Sequence, residues 1–132
     1  MRNIYKNLKI WQKMHQLVLK VYEYTKDFPS EEKFGLTSDM RRAARSIKAN
    51  FVEGYKRKGY KDAMNFFNRS DASLEELEDH TLIALDLKYL PKAYFDELEN
   101  LEREVAIFLD RWQKEYHERS NGGPGAHAHV RT

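Results

Sequence analysis

Four runs of apolar residues, each returning at steps of three and four, constrain this chain more than any other feature of its sequence. That period puts side chains on one face of an α-helix, whereas a strand alternates faces every second residue. In the first run Trp11, Met14, Val18, Val21, Thr25 and Phe28 follow steps of 3, 4, 3, 4 and 3. Ile10, Leu17 and Tyr24 widen this stripe to the breadth of a core-facing helix. The second run is Met40, Ala44, Ile47, Phe51 and Gly54, and the third is Ala63, Phe67, Ser70, Leu74, Leu77, Thr81 and Ala84. The fourth is Leu98, Leu101, Val105, Phe108 and Trp112, flanked by Phe95, Leu109 and Tyr116.

Helix breakers fall between the runs. Pro29 stops the first, Gly35 precedes the second, Gly59 separates the second from the third, and Pro91 opens the fourth. Thr37 or Ser38 is expected to cap the second helix, with Leu36 as a hydrophobic staple. Ala43 and Ala44 let a neighbouring helix approach closely. Short connections favour antiparallel neighbours, so the expected fold class is all-α, an antiparallel up-down four-helix bundle over residues 1–119. Residues 120–132 are glycine-rich, lack any period and are expected to form a disordered tail.

Composition narrows the function. With 132 residues, 41% of them hydrophobic and 33% charged, the chain suits one domain with a real core. The absence of cysteine excludes disulfides, thiolate metal sites and thiol nucleophiles. No apolar run approaches the roughly 18 residues a membrane span needs, and the N-terminal residues are too polar for a signal peptide. A cytoplasmic protein with no membrane partner is the expectation.

The net charge of +2 hides an asymmetry. Between residues 41 and 61, Arg41, Arg42, Arg45, Lys48, Lys56, Arg57, Lys58 and Lys61 face only one carboxylate, Glu53, for a local charge of +7. Between residues 71 and 86, Asp71, Glu75, Glu76, Glu78, Asp79 and Asp86 face no Lys or Arg, for −6. On a helical projection Arg41, Arg45 and Lys48 fall about 80–140° from the apolar stripe and so edge the core. Asp71, Glu75 and Glu78 edge the core of the third helix. These two stripes either pair with each other, within or between subunits, or leave the cations free for phosphate. Lys56, Arg57, Lys58 and Lys61 crowd a turn beside Tyr55 and Tyr60. There an anion relieves their repulsion and the tyrosines stack on unpaired bases; the alternative is a solvated turn.

No catalytic constellation stands out. The residues three before His15, His80 and His117 are Gln12, Leu77 and Lys114, so the Glu-x-x-His motif of di-iron bundles is missing. His127 and His129 invite only adventitious metal, and no cofactor is expected. Glu75-x-x-Glu78 and Glu99-x-x-Glu102 read as solvated or ion-paired faces, and Ser70 and Ser73 as close-packing residues.

The run EEKFGLTSDMRRAARSIKANFVEGYKRKGYKDAMNFF, followed by SLEELE and LDLKYL and preceded by LKIWQKMHQLVLKVYEYTKDFP, resembles the four-helix-bundle family of 23S ribosomal RNA intervening-sequence proteins. The resemblance spans roughly residues 8–112 and is carried by Gly35-Leu36-Thr37, Arg41-Arg42-Ala43-Ala44, Ser46-Ile47, Asn50, Glu53-Gly54 and Ser73-Leu74-x-Glu76-Leu77-Glu78. Lys48 stands where many members have proline. Members are encoded in insertions within bacterial 23S rRNA genes or elsewhere in genomes. Their fold is similar to that of the accessory protein of diversity-generating retroelements, a pentameric barrel that binds nucleic acid and a reverse transcriptase.

The resemblance implies a homopentameric barrel with a basic surface for RNA, or less readily DNA; the missing catalytic constellations add the expectation of no enzymatic activity. The rival is a protein-interaction scaffold, for example for a reverse transcriptase. Seventeen aromatics are many for one bundle core, and Tyr22, Tyr55, Tyr60, Tyr89 and Tyr94 have no evident place inside it, which suits an oligomer.

Overall fold

A computed structural model describes residues 4–121 as four α-helices with no strand among them. A 3-10 turn at Ile4–Asn7 leads into α1 (Lys9–Thr25), and a second at Ser30–Glu32 precedes α2 (Leu36–Lys56). Then come α3 (Tyr60–Asp86) and α4 (Lys92–Asn121). The fourth helix runs past the expected end near residue 117, and most of the expected tail, with His127 and His129, lies outside the described residues. No helix among the described residues is long and apolar enough to cross a membrane.

Each helix packs on its neighbour in sequence, and α4 closes the ring against α1. All four contacts are antiparallel. Lys13 meets Glu104 and Lys20 meets Glu97, an equal stride forward on α1 and back on α4. Ser46 meets Ser73 and Gly54 meets Phe67 across α2 and α3. The four apolar stripes converge on one core, which includes Met14, Ile47, Leu74 and Leu98. At one end Trp112, fully buried, packs edge-on to Phe51 at 5.0 Å and to Phe67 at 5.9 Å. Tyr55 joins this cluster and is buried, so it does have a place inside the bundle.

The helix ends depart from the expected caps. Thr37 and Ser38 fall inside the first turn of α2, and the cap comes from Glu32, whose Oε1 accepts from the Leu36 N–H at 3.1 Å. The other oxygen of Glu32 accepts from the Tyr89 hydroxyl at 3.0 Å, tying this corner to the α3–α4 turn. There the Tyr89 N–H reaches the Ala84 carbonyl and the Lys88 N–H that of Leu85, a Schellman closure. Lys88 takes the left-handed conformation (φ 64) more often given to glycine.

Helices α2 and α3 make the tightest contact. A Cβ added at Gly54 would sit 2.5 Å from the Phe67 ring and 3.0 Å from the Ala63 carbonyl oxygen. Glycine is therefore required here by close approach, although it weakens the helix by roughly 1 kcal/mol against alanine. Gly59, in extended backbone (φ −83, ψ 139), has nothing near its would-be Cβ. Alanine at the two sites should act differently. Gly54→Ala lowers stability by about 1–3 kcal/mol through overpacking. Gly59→Ala changes it by no more than about 0.5 kcal/mol, because the smaller entropy of the unfolded chain offsets the poorer N-cap alanine makes for α3. Thermal unfolding of the two variants checks the difference, and an unaltered midpoint for Gly54→Ala would contradict the close approach.

Between α3 and α4 lies a buried carboxyl. Glu102 is only 3% exposed, and the Thr81 Oγ1 lies 2.6 Å from its Oε2 and 2.9 Å from the Leu77 carbonyl oxygen. A hydroxyl has one proton and cannot donate to both. Both contacts are satisfied when Glu102 is protonated and donates to Thr81, which then donates to Leu77. Burial pushes the Glu102 carboxyl up to about 7; the Thr81 contact opposes this, and the charges of Glu78 and Glu99 add to it. Because the folded pKa is raised above the usual 4.5, the folded chain holds an extra proton between these values. The associated stability is present below about pH 4.5 and lost as pH rises towards 7, a change on the order of 3 kcal/mol. Glu102→Gln keeps the site neutral, so its advantage over the parent chain should grow by about that amount between roughly pH 4.5 and 8. Urea midpoints at the two pH values measure this; a constant difference would mean Glu102 ionises normally.

Candidate nucleic-acid interface

Three of the eight cations singled out by the sequence meet in the groove between α1 and α2. Arg41 donates from Nε to the Thr25 hydroxyl at 2.9 Å and from Nη2 to the Tyr22 carbonyl at 3.4 Å. Its guanidinium lies 4.7 Å from the centre of the Tyr22 ring. One turn on, Arg45 donates to the Tyr22 hydroxyl. Lys48 donates from Nζ to His15 Nδ1 at 2.8 Å and lies 5.1 Å from the Trp11 ring centre. An ammonium group has only protons to give, so this contact requires His15 neutral. Burial, then Lys48 and Lys6, hold the His15 pKa down. Burial and Lys6 likewise lower that of Lys48.

No carboxylate pairs with Arg41, Arg45 or Lys48 among the described residues. Instead the charges rest on aromatic faces and neutral acceptors. Arg45 lines two adjoining depressions. One, of about 320 Å³, is shaped by Tyr22, Phe34, Ser38 and Arg41. The other, of about 540 Å³, is shaped by Tyr5, Trp11, Lys48 and Val52, with Glu53 on its wall.

The other five cations lie elsewhere. Arg42 is exposed and paired with Asp39 at 2.8 Å. Glu53, one turn back on α2, takes both Lys56 at 3.4 Å and Arg57 at 3.2 Å, and Arg57 also nears Asp62. The crowded turn is thus half neutralised, and only Lys58 and Lys61 remain exposed without an ion pair among the described residues. Its tyrosines are not platforms for bases. Tyr55 is buried, and Tyr60 stacks on Tyr116 at 5.8 Å and bonds to His117.

The charge pattern of the sequence does not single out the aromatic half of the groove. Trp11, expected in the core, is only half-buried and stacks on His15 with centroids 5.0 Å apart. Trp11, His15, Val18 and Tyr22 follow steps of 4, 3 and 4 along one edge of α1, the signal that marks this flank. Phe34, in the α1–α2 connection, carries no such signal.

The acidic stripe lies on the opposite side of the molecule, where Asp71, Glu75 and Glu78 turn towards α4. Asp71 has its pKa raised by burial, then by Glu75 and by Asp110. Glu78 has its pKa raised by burial, then by Glu75, Asp71 and Glu99. The α2–α3 contact between the two stripes is filled by small groups, with the Ser46 and Ser73 hydroxyls 2.8 Å apart and Ser70 donating to the Ile47 carbonyl at 2.6 Å. No ion pair among the described residues joins the basic stripe to the acidic one, so the intramolecular pairing left open by the sequence does not form. The chemistry of the groove suits an anion, and Phe34 is the exposed ring at its edge. Ser70 and Ser73, committed to these packing contacts, face α2.

No curated protein matches the chain. Among solved structures, it is similar to a protein of unknown function of the S23 ribosomal protein family from Bacteroides thetaiotaomicron. The TM-score is 0.71 at 18% identity, over 80% of this chain and 98% of that one; at that identity the likeness speaks to the fold alone. Residues 6–111 match the family of 23S rRNA-intervening sequence proteins. With that match spanning α1 to α3 and most of α4, the chain belongs to the 23S rRNA-intervening sequence protein family.

Proposed function

We propose that this chain is a non-enzymatic, cytoplasmic nucleic-acid-binding protein, for RNA in preference to DNA, that holds phosphates along the α1–α2 groove. It acts as a homo-oligomer, a pentamer by the family resemblance. The observation that carries this reading is the row Arg41, Arg45 and Lys48, ordered on aromatic and neutral partners with no carboxylate paired to it among the described residues. A strand that replaces condensed counterions on its phosphates with these charges gains their release. Arginine supplies a fork for phosphate oxygens and lysine a point charge. Lys58 and Lys61 extend the field around the end of α2.

Affinity for a short RNA should fall steeply as salt rises. Arg45→Gln with Lys48→Gln should weaken binding and reduce the log–log salt slope by about 0.7 for each single-strand phosphate no longer neutralised. Neutralising Lys56 and Arg57, already held by Glu53, should do less. Fluorescence anisotropy across a salt series gives both numbers; binding indifferent to salt would refute the reading.

A second reading is favoured by the uncompensated acids Asp71, Glu75 and Glu78. In it the basic face of one subunit docks on the acidic face of the next, or on a protein partner such as a reverse transcriptase, and RNA binds weakly. Under that reading Arg45→Glu dissociates the oligomer. Light scattering on this variant separates the two, because a phosphate-binding Arg45 predicts an unchanged mass.

A further inference from the structure

Phe34 is 89% exposed, far more than any other large apolar side chain described in the molecule. It stands in the connection between α1 and α2, just before the first turn of α2. Leaving a phenylalanine ring in water forgoes the stabilisation that burial gives, and nothing in the packing of the bundle uses this one. One cation, Lys33, approaches the ring at 5.5 Å. The ring borders the 320 Å³ depression that also holds Tyr22, Ser38, Arg41 and Arg45. Among the described residues no carboxylate lines that depression. Its volume falls at the lower end of the range for small-molecule sites, roughly 300–1,000 Å³.

The two guanidinium groups there are ordered but not saturated. Arg41 commits Nε and Nη2 to Thr25 and Tyr22, and its Nη1 has no hydrogen-bond partner among the described residues. Arg45 commits Nη1 to the Tyr22 hydroxyl, and its Nε and Nη2 have no hydrogen-bond partner among the described residues. A flat, accessible π-face beside two free guanidinium edges matches a group that is itself flat at one end and anionic at the other. Within a nucleic acid, a duplex hides its base faces in its own stack, and an unpaired nucleotide presents both parts at once.

We propose that Phe34, Arg41 and Arg45 hold one unpaired nucleotide of a single strand, with its base stacked on Phe34 and its phosphate on the free guanidinium edges. This assignment rests on the nucleic-acid reading above and narrows it to single strands or to loops and ends.

Anisotropy with a ten-nucleotide single-stranded RNA, the DNA strand of the same sequence, and an RNA duplex of the same length tests it. The full chain is compared with Phe34→Ala and Phe34→Trp; both changes fall on a solvated side chain. The parent chain should prefer either single strand over the duplex. Phe34→Ala should weaken single-strand binding by about tenfold, the scale of removing one base–aromatic stack, and leave duplex binding unchanged. Phe34→Trp should retain single-strand affinity, with indole fluorescence quenched on binding beyond any change that Trp11 and Trp112 give in the parent chain. Equal weakening on RNA and DNA assigns the site to the base and phosphate, and a larger effect on RNA adds the 2′-hydroxyl to what it reads. If the parent chain binds RNA in a salt-dependent way but Phe34→Ala changes nothing, the nucleotide site is wrong and the wider reading stands. If the parent chain binds neither strand nor duplex, the wider reading fails and this one with it. A change in sedimenting mass for Phe34→Ala, with RNA affinity unaltered, would make the ring a subunit contact and overturn the assignment.

Discussion

The closeness of α2 to α3 governs the rest of the molecule. Gly54 admits the Phe67 ring, Ser46 touches Ser73, and Ser70 donates to a carbonyl of the facing helix. Backbones that approach this far leave no room for long charged side chains between them. Arg41, Arg45 and Lys48 leave α2 by its other edge, towards α1, and Asp71, Glu75 and Glu78 leave α3 by its far edge, towards α4. The separation of these two stripes is consistent with steric exclusion along the middle of the α2–α3 contact, where small groups meet.

On the basic side the charges are ordered without being cancelled. A carboxylate partner would fix Arg41 or Arg45 but remove its attraction for an anion. Tyr22 fixes both through its ring, carbonyl and hydroxyl and leaves the charge in place. Cation–π contacts of this kind contribute about 0.5–1 kcal/mol at exposed sites, enough to bias a rotamer and too little to compete with a phosphate. Ordering the guanidinium groups beforehand reduces the side-chain entropy lost when a ligand arrives. On the acidic side no cation meets Asp71 or Glu78 among the described residues, and burial with mutual repulsion shifts both towards the protonated form.

The helices, their order and most of the core are legible in the sequence, because a stripe at steps of three and four has one geometric meaning. Met14, Ile47, Leu74, Leu98 and Trp112 are buried as that stripe requires. What the projection cannot say is which neighbour a helix edge will face. Each helix of a bundle has two edges beside its core, and the basic edge of α2 and the acidic edge of α3 face outward from their shared contact. The clue is the small-residue edge holding Ala43, Ser46 and Gly54, which marks the side of closest approach. Glu53 illustrates a second limit. Counted as one carboxylate among eight cations, it sits where it neutralises two of them, Lys56 and Arg57, because i+3 and i+4 share a face. The cap by Glu32 is hidden for a related reason: it reaches forward from a 3-10 turn, while Thr37 and Ser38 satisfy the usual pattern one turn too late.

Helix α1 links these consequences, because its two edges do different work. Lys13 and Lys20 reach across to Glu104 and Glu97, and Tyr24 stacks on Tyr94 while its hydroxyl meets Glu97. This edge fastens α1 to α4 with paired charges. The opposite edge carries Trp11, His15 and Tyr22 and meets Arg41, Arg45 and Lys48 through rings and neutral acceptors. The acids of α4 are thereby held on their own side of α1, away from the α1–α2 groove. Glu53, the one carboxylate on the wall of the wider depression among the described residues, is already taken by Lys56 and Arg57. The groove stays cationic because no described carboxylate pairs with Arg41, Arg45 or Lys48, whose partners are rings and neutral acceptors. A ligand held there touches side chains anchored on α1 and α2 and leaves the α2–α3 contact, on which the bundle is built, undisturbed.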